Sequence, residues 1–306
     1  MNRRERIAYC LLRGLLKGVA LLPLAVLYVF SDGIAWLLHH VNRYRRQLIR
    51  TNLAKCFPEK SPAEINAIVR EFYANFADYI AETVKLLHIS DAEMLRRFTF
   101  TGLNHITDAM DSGRSVAAYF SHCGNWEWAP SVTLHCPAQL AAGDAFCQIY
   151  RPLRNRVFDR LMLEVRSRFG SVSIPKEHSL RKFIEMRRAG TVSVTGFMSD
   201  QKPSHGDTGH AIIFLNRPTL VITGTETLAR RLGFAVVYWD MVKTARGHYQ
   251  IRVVPMADDA SKTAEHQLTD QYFALLEATI RRNPAIWLWS HNRWKHNAEA
   301  EARNTH

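Results

Sequence analysis

The feature that most constrains the fold is an alternation, after residue 114, of short apolar runs with longer amphipathic stretches. The short runs have the length and composition of buried strands, and the longer stretches repeat apolar residues at helical spacing. This alternation is typical of α/β folds, in which helices pack on a sheet. The predicted strands are 115–120, 171–174, 191–198, 235–242 and 249–254, and the predicted helices are 153–169, 180–188, 220–232 and 263–282.

The first hundred residues are predicted to be helical. Ser61, Pro62 and Glu64 mark a helix start, since serine caps the helix, proline fits its first position and glutamate closes a capping box. Apolar residues then recur at helical spacing as far as Leu87, which is most simply a face packed on the core. Ser90, three residues before a glutamate, begins a further short helix.

The composition is that of a folded chain. Its 306 residues suffice for one large core, or for a core with a smaller helical region, and 47% of them are hydrophobic while 22% are charged. The five cysteines show no C-x-x-C pair and no regular spacing. We therefore predict a reducing compartment and neither a disulfide scaffold nor a zinc ribbon.

The charge of the chain predicts an anionic partner. The formal net charge is +12, and in the first fifty residues nine basic residues outnumber two acidic ones beside the most apolar part of the chain. Basic clusters that flank an apolar segment are typical of contact with anionic lipid headgroups. A nucleic-acid-binding chain would carry a recognisable module, or aromatic residues among the basic ones, and this sequence has neither. We expect a membrane partner and no nucleic acid.

Residues 1–50 are predicted to be a helical membrane anchor. The uncharged run 18–30 lies between Lys17 and Asp32 and contains Pro23. It is shorter than the roughly 20 apolar residues that a clean span needs. A monotopic or re-entrant anchor, a span that extends back through the preceding leucines, and a cleaved signal peptide all fit this pattern, although no small-residue cleavage site follows it.

His122 and Glu127 are the pair of residues in the sequence that best suits acid–base catalysis. His122 lies just past the strand 115–120, and a Gly-Asn turn separates it from Glu127 at a helix start. At such a junction the carboxylate can fix the tautomer of the imidazole, while the other ring nitrogen takes a proton from a hydroxyl. On spacing alone, a strand-end histidine and an unrelated helix-end carboxylate explain the pair slightly better, since fourteen histidines make chance pairs common.

Four ordered blocks give the chain a resemblance to a known family. Residues 121–127, Ser-His-Cys-Gly-Asn-Trp-Glu, resemble the H-x-x-x-x-D/E block of glycerolipid acyltransferases, in the form found in the bacterial late acyltransferases of lipid A biosynthesis. Residues 150–155 resemble the arginine block of that family, and 198–201 resemble its Asp-Gln block. Residues 287–295 resemble its tryptophan-rich C-terminal signature. The likeness covers nearly the whole chain, and it favours a catalytic role for the histidine and the glutamate.

The resemblance implies a fold and a location. The expected fold is α/β, a mixed sheet of the glycerolipid-acyltransferase type flanked by helices, with an N-terminal helical membrane-anchoring region. Residues 51–306 would form the acyltransferase domain, with a helical lead-in over 60–100 and an α/β catalytic core over 101–306. The expected location is the cytoplasmic face of a bacterial inner membrane, on its anionic leaflet.

The resemblance also implies a reaction, the transfer of a fatty acyl chain from a thioester to a hydroxyl. His122 would be the general base and Glu127 its orienter, with no metal, no cofactor and no covalent enzyme intermediate. Asn125, backbone amides after His122, or Arg151 would bind the oxyanion, and Arg151 could instead grip a phosphate. Asp200 could bind an acceptor hydroxyl or orient Arg151, and a purely structural ion pair between these two residues is the plainer alternative.

The implied partners are both anionic, which suits a basic protein. The donor would be an acyl carrier protein thioester, an acidic protein that a basic rim can attract. The acceptor would be a lipid A precursor, a phosphorylated and acylated disaccharide whose 3-hydroxyacyl chains offer hydroxyl groups.

Three smaller features complete the comparison. Cys123 is expected to be a packed side chain, since neighbours at a strand end point to opposite faces and cannot both serve one site. The tryptophans of the C-terminal block, Trp287, Trp289 and Trp294, fit a membrane interface and a core equally well. Asn216 stands where the family usually carries glycine, and it would alter the chain-length preference if its loop shapes the acyl channel.

Three other functions remain as alternatives. An O-acyltransferase for an amino-acid lipid, a phosphatidylinositol mannoside or a lysophospholipid would use the same blocks. An esterase or thioesterase needs a nucleophilic serine, usually in G-x-S-x-G, and the sequence lacks this motif. A non-catalytic membrane adaptor on an acyltransferase fold is the third alternative, against which the intact His122 and Glu127 argue.

Overall fold

The structure is a computed structural model that describes residues 1–203 and 210–295. The helices are α1 (Arg3–Ala20), α2 (Leu24–Trp36), α3 (Arg46–Cys56), α4 (Pro62–Lys85), α5 (Asp91–Arg97), α6 (Asn104–Asp111), α7 (Pro137–Ala141), α8 (Arg156–Arg166), α9 (Ser179–Arg188), α10 (Gly224–Leu232) and α11 (Gln267–Arg282), with a longer 3₁₀ helix over Trp126–His135. The strands are β1 (Phe98–Thr101), β2 (Val116–Phe120), β3 (Ala145–Tyr150), β4 (Val172–Pro175), β5 (Ser193–Met198), β6 (His210–Phe214), β7 (Arg217–Val221), β8 (Ala235–Ala245) and β9 (His248–Ala257).

Seven strands form one mixed sheet in the order β1-β9-β8-β2-β5-β3-β4. Neighbouring strands run parallel except in the antiparallel β8–β9 hairpin, and helices pack against the sheet. The expected α/β sheet flanked by helices is therefore confirmed. Because β2 and β5 are parallel neighbours, with Phe120 opposite Met198, their carboxyl ends lie side by side at one edge. In sheets of this kind, ligands bind outside the carboxyl ends of the strands.

Most of the predicted strands and helices are present, with ends shifted by a few residues, but four strands were not predicted. These are β1, β3 and the two strands of the β6–β7 hairpin. The helix predicted over 220–232 is wrong at its start, because Leu220 and Val221 belong to β7 and pair with β6. Val221 stands seven residues before Leu228, so the strand residue continues the helical spacing of α10 and hides the boundary.

The turn between β6 and β7 explains the asparagine at position 216. Leu215 and Asn216 have positive φ angles of 49° and 62°. Glycine and asparagine adopt this left-handed conformation with the least strain, and hairpin turns favour them for that reason. The Asn216 side chain also donates a hydrogen bond to the Cys56 carbonyl of α3, at 3.0 Å. Asparagine therefore serves the turn and ties it to α3.

Helix α4 begins where the capping residues predict. The Ser61 hydroxyl accepts from the Glu64 N–H, and the Glu64 carboxylate accepts from the Ser61 N–H at 2.8 Å, which completes the capping box. The buried face of α4 also carries two carboxylates, Asp78 and Glu82. Carboxylates are rarely buried without partners, and Arg246 of the β8–β9 turn binds Asp78 at 2.7 Å.

Pro23 divides the apolar N-terminal run into α1 and α2, so residues 18–30 do not form one helix. Within the described part of the chain, one stretch, Leu24–Val41, is long and apolar enough to cross a membrane by length and composition, and 17% of it is buried. Large apolar side chains of the two helices and the segment after them are exposed. They are Ile7, Leu11, Leu15, Leu21, Leu22, Val26, Val29, Phe30, Ile34, Trp36, Leu37 and Val41.

The N-terminal helices are held against the rest of the protein by polar contacts. The Glu164 carboxylate of α8 accepts from the Tyr9 hydroxyl at 2.6 Å and from Arg13 Nε at 2.7 Å. The hydrogen bond from Arg13 lowers the pKa of Glu164 to about 2, so this carboxylate is charged at neutral pH. Helix α2 packs along α4. Both N-terminal helices therefore lie on the body of the protein, each with large apolar side chains on its outward face.

A glycine substitution tests the packing of α2 against the β8–β9 turn. Gly247, in the β8–β9 turn, has a φ of +68°, and a Cβ atom there would collide with the Tyr28 hydroxyl of α2. Gly190 has a φ of +70° and open space around it. Left-handed backbone costs an alanine about 1–2 kcal/mol at either site, and overpacking adds about 1–3 kcal/mol at Gly247 alone. Urea unfolding should therefore show a clearly larger loss for Gly247→Ala than for Gly190→Ala, and equal losses would contradict this packing.

Candidate active site

His122 and Asp200 meet at the carboxyl ends of the neighbouring strands β2 and β5. The His122 backbone N–H donates to Asp200 Oδ2 at 3.0 Å, and the imidazole Nδ1 lies 2.8 Å from Asp200 Oδ1. The carboxylate therefore holds both the backbone and the ring of the histidine. With Nδ1 carrying the proton donated to Asp200, Nε2 is left as the basic nitrogen.

Asp200 is a buried, charged carboxylate. Besides His122, it accepts a hydrogen bond from Trp287 Nε1 at 2.9 Å. Burial would raise the pKa of Asp200, but the charge and hydrogen bonds of His122, together with the Trp287 indole, outweigh it and lower the pKa to about 2. Asp200 is thus placed to fix the tautomer of His122 and to stabilise an imidazolium.

The His122 ring lies beside a cavity of about 310 Å³. Gln201 lies at the same place, with its side-chain nitrogen 3.2 Å from His122 Nε2. This nitrogen can donate to the basic Nε2 until a substrate hydroxyl replaces it. The cavity is lined by Phe120, His122, Trp126, Glu127, Pro130, Gln148, Ile149, Tyr150, Arg151, Leu153, Arg166, Met198 and Gln201.

Glu127 lines the same cavity but does not bind His122, which corrects the expected orienting role. Its carboxylate accepts two hydrogen bonds from Arg166 of α8, Nε to Oε2 at 2.8 Å and Nη2 to Oε1 at 2.7 Å. Such a bidentate arginine–carboxylate pair is among the strongest ionic contacts in proteins. The Trp126 ring packs edge-on to His122, with ring centroids 5.1 Å apart. The motif therefore brings both residues to one cavity, but it gives them different partners.

Asn125 is not placed to bind substrate, which corrects a second expectation. It is fully buried and does not line the cavity. Its side-chain nitrogen donates to Glu82 Oε2 of α4 at 2.7 Å. Burial raises the pKa of Glu82 to about 7, although the hydrogen bonds from Asn125, Tyr28 and Tyr249 oppose this shift. Asn125 holds the loop after His122 against α4 and is not a donor to the cavity.

Arg151 follows β3 at the mouth of the cavity, with its side chain exposed. Neither a hydrogen bond nor an ion pair joins it to Asp200, whose carboxylate is taken up by His122 and Trp287. The alternative of a structural ion pair between Arg151 and Asp200 is therefore wrong. A guanidinium at this position is available to a negatively charged ligand.

The C-terminal segment that contains the tryptophan block holds the loop after His122 through backbone hydrogen bonds. Gly124 N–H donates to the Ile286 carbonyl at 2.9 Å, and Leu288 N–H donates to the His122 carbonyl at 3.1 Å. Cys123, between these bonds, is fully buried, and burial raises its pKa well above the ordinary range of a thiol. A protonated thiol is a poor nucleophile, so the packed role expected of this cysteine agrees with its surroundings. The three tryptophans of the block, Trp287, Trp289 and Trp294, are buried in the core and do not form a membrane interface.

Two residues of the site were not identified from the sequence. Arg166 lies 39 residues from Glu127, and nothing in its spacing marks it apart from other basic residues at helix ends. Gln201 lies inside the Asp-Gln block, but the block alone does not assign it a role. Its proximity to Asp200 was the signal that could have found it, because a residue next to one that binds His122 lies at the same strand end.

Comparison with known sequences identifies the family. The sequence profile of the bacterial lipid A biosynthesis acyltransferases matches residues 3–296. The chain belongs to this family. It is an acyltransferase of lipid A biosynthesis, as its four sequence blocks implied.

The similarity to individual members is low in identity but extends over most of the chain. The lipid A biosynthesis palmitoleoyltransferase of Escherichia coli strain K12 is 24% identical over 275 residues, which cover 90% of this chain and 86% of that protein. The lauroyltransferase of the same strain is 25% identical over 289 residues, 92% of this chain and 89% of that protein. The myristoyltransferase is 25% identical over 248 residues, 80% of this chain and 73% of that protein.

Asp200→Asn tests which carboxylate positions the histidine. The substitution should lower kcat for acyl transfer by about 10³–10⁴-fold in a folded protein, because an amide neither fixes the Nδ1–H tautomer nor stabilises the imidazolium. Initial rates and circular dichroism would measure this. Asp159→Asn is the matched control, since among the described residues the Asp159 carboxylate accepts a hydrogen bond from the Leu153 N–H alone, at 2.8 Å, and does not contact His122. Losses of equal size in the two variants would contradict the role of Asp200.

The lowered pKa of His291 makes the free energy of unfolding depend on pH. Burial lowers the pKa of His291 to about 4, whereas an unfolded histidine titrates near 6.5. Its contribution to stability is therefore complete above pH 6.5 and is lost as the pH falls through about 4. Urea midpoints between pH 7 and pH 4.5 should fall more for the wild type than for His291→Asn, whose side-chain oxygen can still accept from the Lys202 N–H. Parallel pH curves would be evidence against this assignment.

Proposed function

We propose that this acyltransferase moves a fatty acyl chain from an acyl carrier protein thioester to a hydroxyl of a lipid A precursor, with His122 as the general base. The observation that carries the proposal is the arrangement of the two ring nitrogens of His122. Nδ1 is held by the buried carboxylate of Asp200 while Nε2 lies beside a cavity. A base needs this arrangement to accept a proton from a bound hydroxyl.

The reaction follows from that geometry. The acceptor hydroxyl takes the place of Gln201 as the hydrogen-bond donor to His122 Nε2. As its oxygen attacks the thioester carbonyl, its proton passes to Nε2, and Asp200 stabilises the resulting imidazolium. The tetrahedral intermediate then collapses, the carbon–sulfur bond breaks, and the imidazolium returns its proton to the leaving thiolate. The products are an ester and the free carrier thiol, and His122 is restored.

The ion pair of Glu127 and Arg166, which lines the cavity, would stabilise the oxyanion of the tetrahedral intermediate. Arg166 is held rigidly by two bonds to Glu127, so its guanidinium is fixed before the substrate binds. Preorganised donors of this kind contribute most when they face the charge that develops in the transition state. Glu127 therefore acts through Arg166, and Gln201 Nε2 is a second donor within reach of the reacting atoms.

The surface around the cavity mouth suits anionic partners. Four arginines are exposed there and pair with no carboxylate among the described residues: Arg151 and Arg154 in the loop before α8, and Arg156 and Arg160 in α8. An acidic carrier protein and a phosphorylated lipid would both be attracted there. The relatives are named for lauroyl, myristoyl and palmitoleoyl transfer in lipid A biosynthesis, which supports a lipid A acceptor.

The exposed apolar side chains of α1 and α2 support attachment to a membrane. Basic side chains of residues 1–50 flank them, and the contacts of Glu164 hold α1 beside α8 at the cavity. Apolar side chains beside basic ones favour the anionic cytoplasmic leaflet of a bacterial inner membrane. The acceptor would then reach the cavity from the membrane surface.

The experiment is an acyl transfer assay with full-length protein in anionic vesicles, a lipid A precursor, and acyl carrier protein thioesters of several chain lengths. Wild-type protein should form the acylated lipid, and His122→Ala should lower the rate by at least about 10²-fold without loss of folding, because the base is removed. A fully active His122→Ala would overturn the mechanism.

The partners are tested separately. Coenzyme A thioesters in place of the carrier protein test the donor, and equal rates with both would overturn the assignment of the carrier. A lysophospholipid in place of the lipid A precursor tests the acceptor. In cells, the mass of lipid A from a deletion strain should be lower by one acyl chain, and an unchanged mass would overturn the proposed acceptor.

A further inference from the structure

We propose that Glu82 is a positioning residue of the acyl transfer reaction, which joins helix α2 to the loop that carries His122. The inference rests on the proposed function, because it gives His122 the catalytic role. Glu82 lies on α4, is fully buried and does not line the cavity. It would therefore act on the reaction only through the residues that it holds.

Glu82 is the meeting point of three separate segments. Its carboxylate accepts from Asn125 Nδ2 of the catalytic loop at 2.7 Å, from the Tyr28 hydroxyl of α2 at 2.9 Å and from the Tyr249 hydroxyl of β9 at 3.0 Å. Its backbone carbonyl accepts from Trp128 Nε1 at 3.1 Å. One turn of α4 thus bonds to two residues that follow His122, to an N-terminal helix and to the sheet.

The loop after His122 is held from two sides. The C-terminal segment holds it through the backbone hydrogen bonds of His122 and Gly124. Glu82 holds it through Asn125, and this bond is the one side-chain hydrogen bond that Asn125 makes to the described residues, since Asn125 Oδ1 is buried without a partner. Release of Asn125 would free the loop three residues after the catalytic histidine.

Tyr28 connects this network to the N-terminal helices. Its hydroxyl reaches Glu82 past Gly247, where a larger residue would block it. The Arg246 guanidinium lies 4.5 Å from the centre of the Tyr28 ring and binds Asp32 of α2 and Asp78 of α4. The next two residues of α2, Val29 and Phe30, expose 70% and 60% of their surface. The helix that presents apolar side chains outward is therefore bonded, through one buried carboxylate, to the loop of His122.

The two oxygen atoms of Glu82 suit this position because Asn125, Tyr28 and Tyr249 are all placed as donors to them. Three donors converge on two oxygen atoms, and a glutamine could accept with one oxygen only. Apolar side chains would fill the same space without the cost of burying a polar group. The directional bonds, rather than the bulk of the side chain, are thus what Glu82 contributes.

The test uses full-length protein in anionic vesicles. Glu82→Gln should lower kcat by about tenfold, the equivalent of about 1.4 kcal/mol in the barrier, while KM for the thioester and for the acceptor stays within about twofold of the wild type. Tyr28→Phe should give a smaller loss of kcat in the same direction, since it removes one of the three bonds. A change confined to KM would overturn the proposal, because positioning of the base acts on the chemical step.

Tyr73→Phe is the matched control. Like the Tyr28 hydroxyl, the Tyr73 hydroxyl joins α4 to the N-terminal region, through the Tyr44 carbonyl at 2.6 Å, but it does not contact Glu82. It should lose stability and keep its kcat. Equal losses of kcat in Tyr28→Phe and Tyr73→Phe would mean that any loosening of the N-terminal region is sufficient, and would overturn the proposal.

An exchange of the amide and the carboxylate between Asn125 and Glu82 distinguishes an effect on the position of the loop from a loss of protein stability. Glu82→Gln combined with Asn125→Asp restores an amide-to-carboxylate hydrogen bond in the opposite direction, and it should recover part of the kcat lost in Glu82→Gln. No recovery, in a double variant that is as folded as the wild type, would count against the inference. His122→Ala, run in parallel, distinguishes the two proposals: its full activity would refute the proposed function, whereas wild-type kcat in Glu82→Gln with an inactive His122→Ala would refute only the role of Glu82.

Discussion

The carboxylate of Asp200 is the group on which the rest of the site depends. Two oxygen atoms receive the backbone N–H and the imidazole of His122 and the indole N–H of Trp287. One buried charge thereby joins the ends of β2 and β5 to the C-terminal segment. Burying such a charge costs several kcal/mol unless it is fully bonded, so the three segments must be packed correctly before His122 has its position.

The polar side chains of residues 121–127 have separate roles in the structure. His122 faces the cavity, Asn125 faces α4 in the interior, and Glu127 faces Arg166 of α8. A strand end, a turn and a 3₁₀ helix turn successive side chains in different directions. The motif is therefore a bent segment held from three sides, and the histidine and glutamate share a cavity without sharing a bond.

Helix α8 places this cavity beside the N-terminal helices. Glu164 binds Tyr9 and Arg13 of α1, while Arg166, two residues later, binds Glu127. One short helix thus contacts the amphipathic helix α1 and also lines the cavity. Under the proposed function, this arrangement would put His122 next to the membrane surface that supplies the lipid acceptor.

The sequence by itself determined the local features: the buried strand before His122, the capped start of α4, the break at Pro23, the basic apolar N-terminus and the blocks that identify the family. Each depends on residues close together in the chain, whose propensities are readable directly. Only the tertiary structure decided that Asp200, 78 residues away, and not Glu127, five residues away, holds the imidazole. It also decided the strands β1, β3, β6 and β7 and the buried place of Asn125. Strand pairing and side-chain partners are contacts between distant segments, and nearness in sequence does not set the direction in which a side chain points.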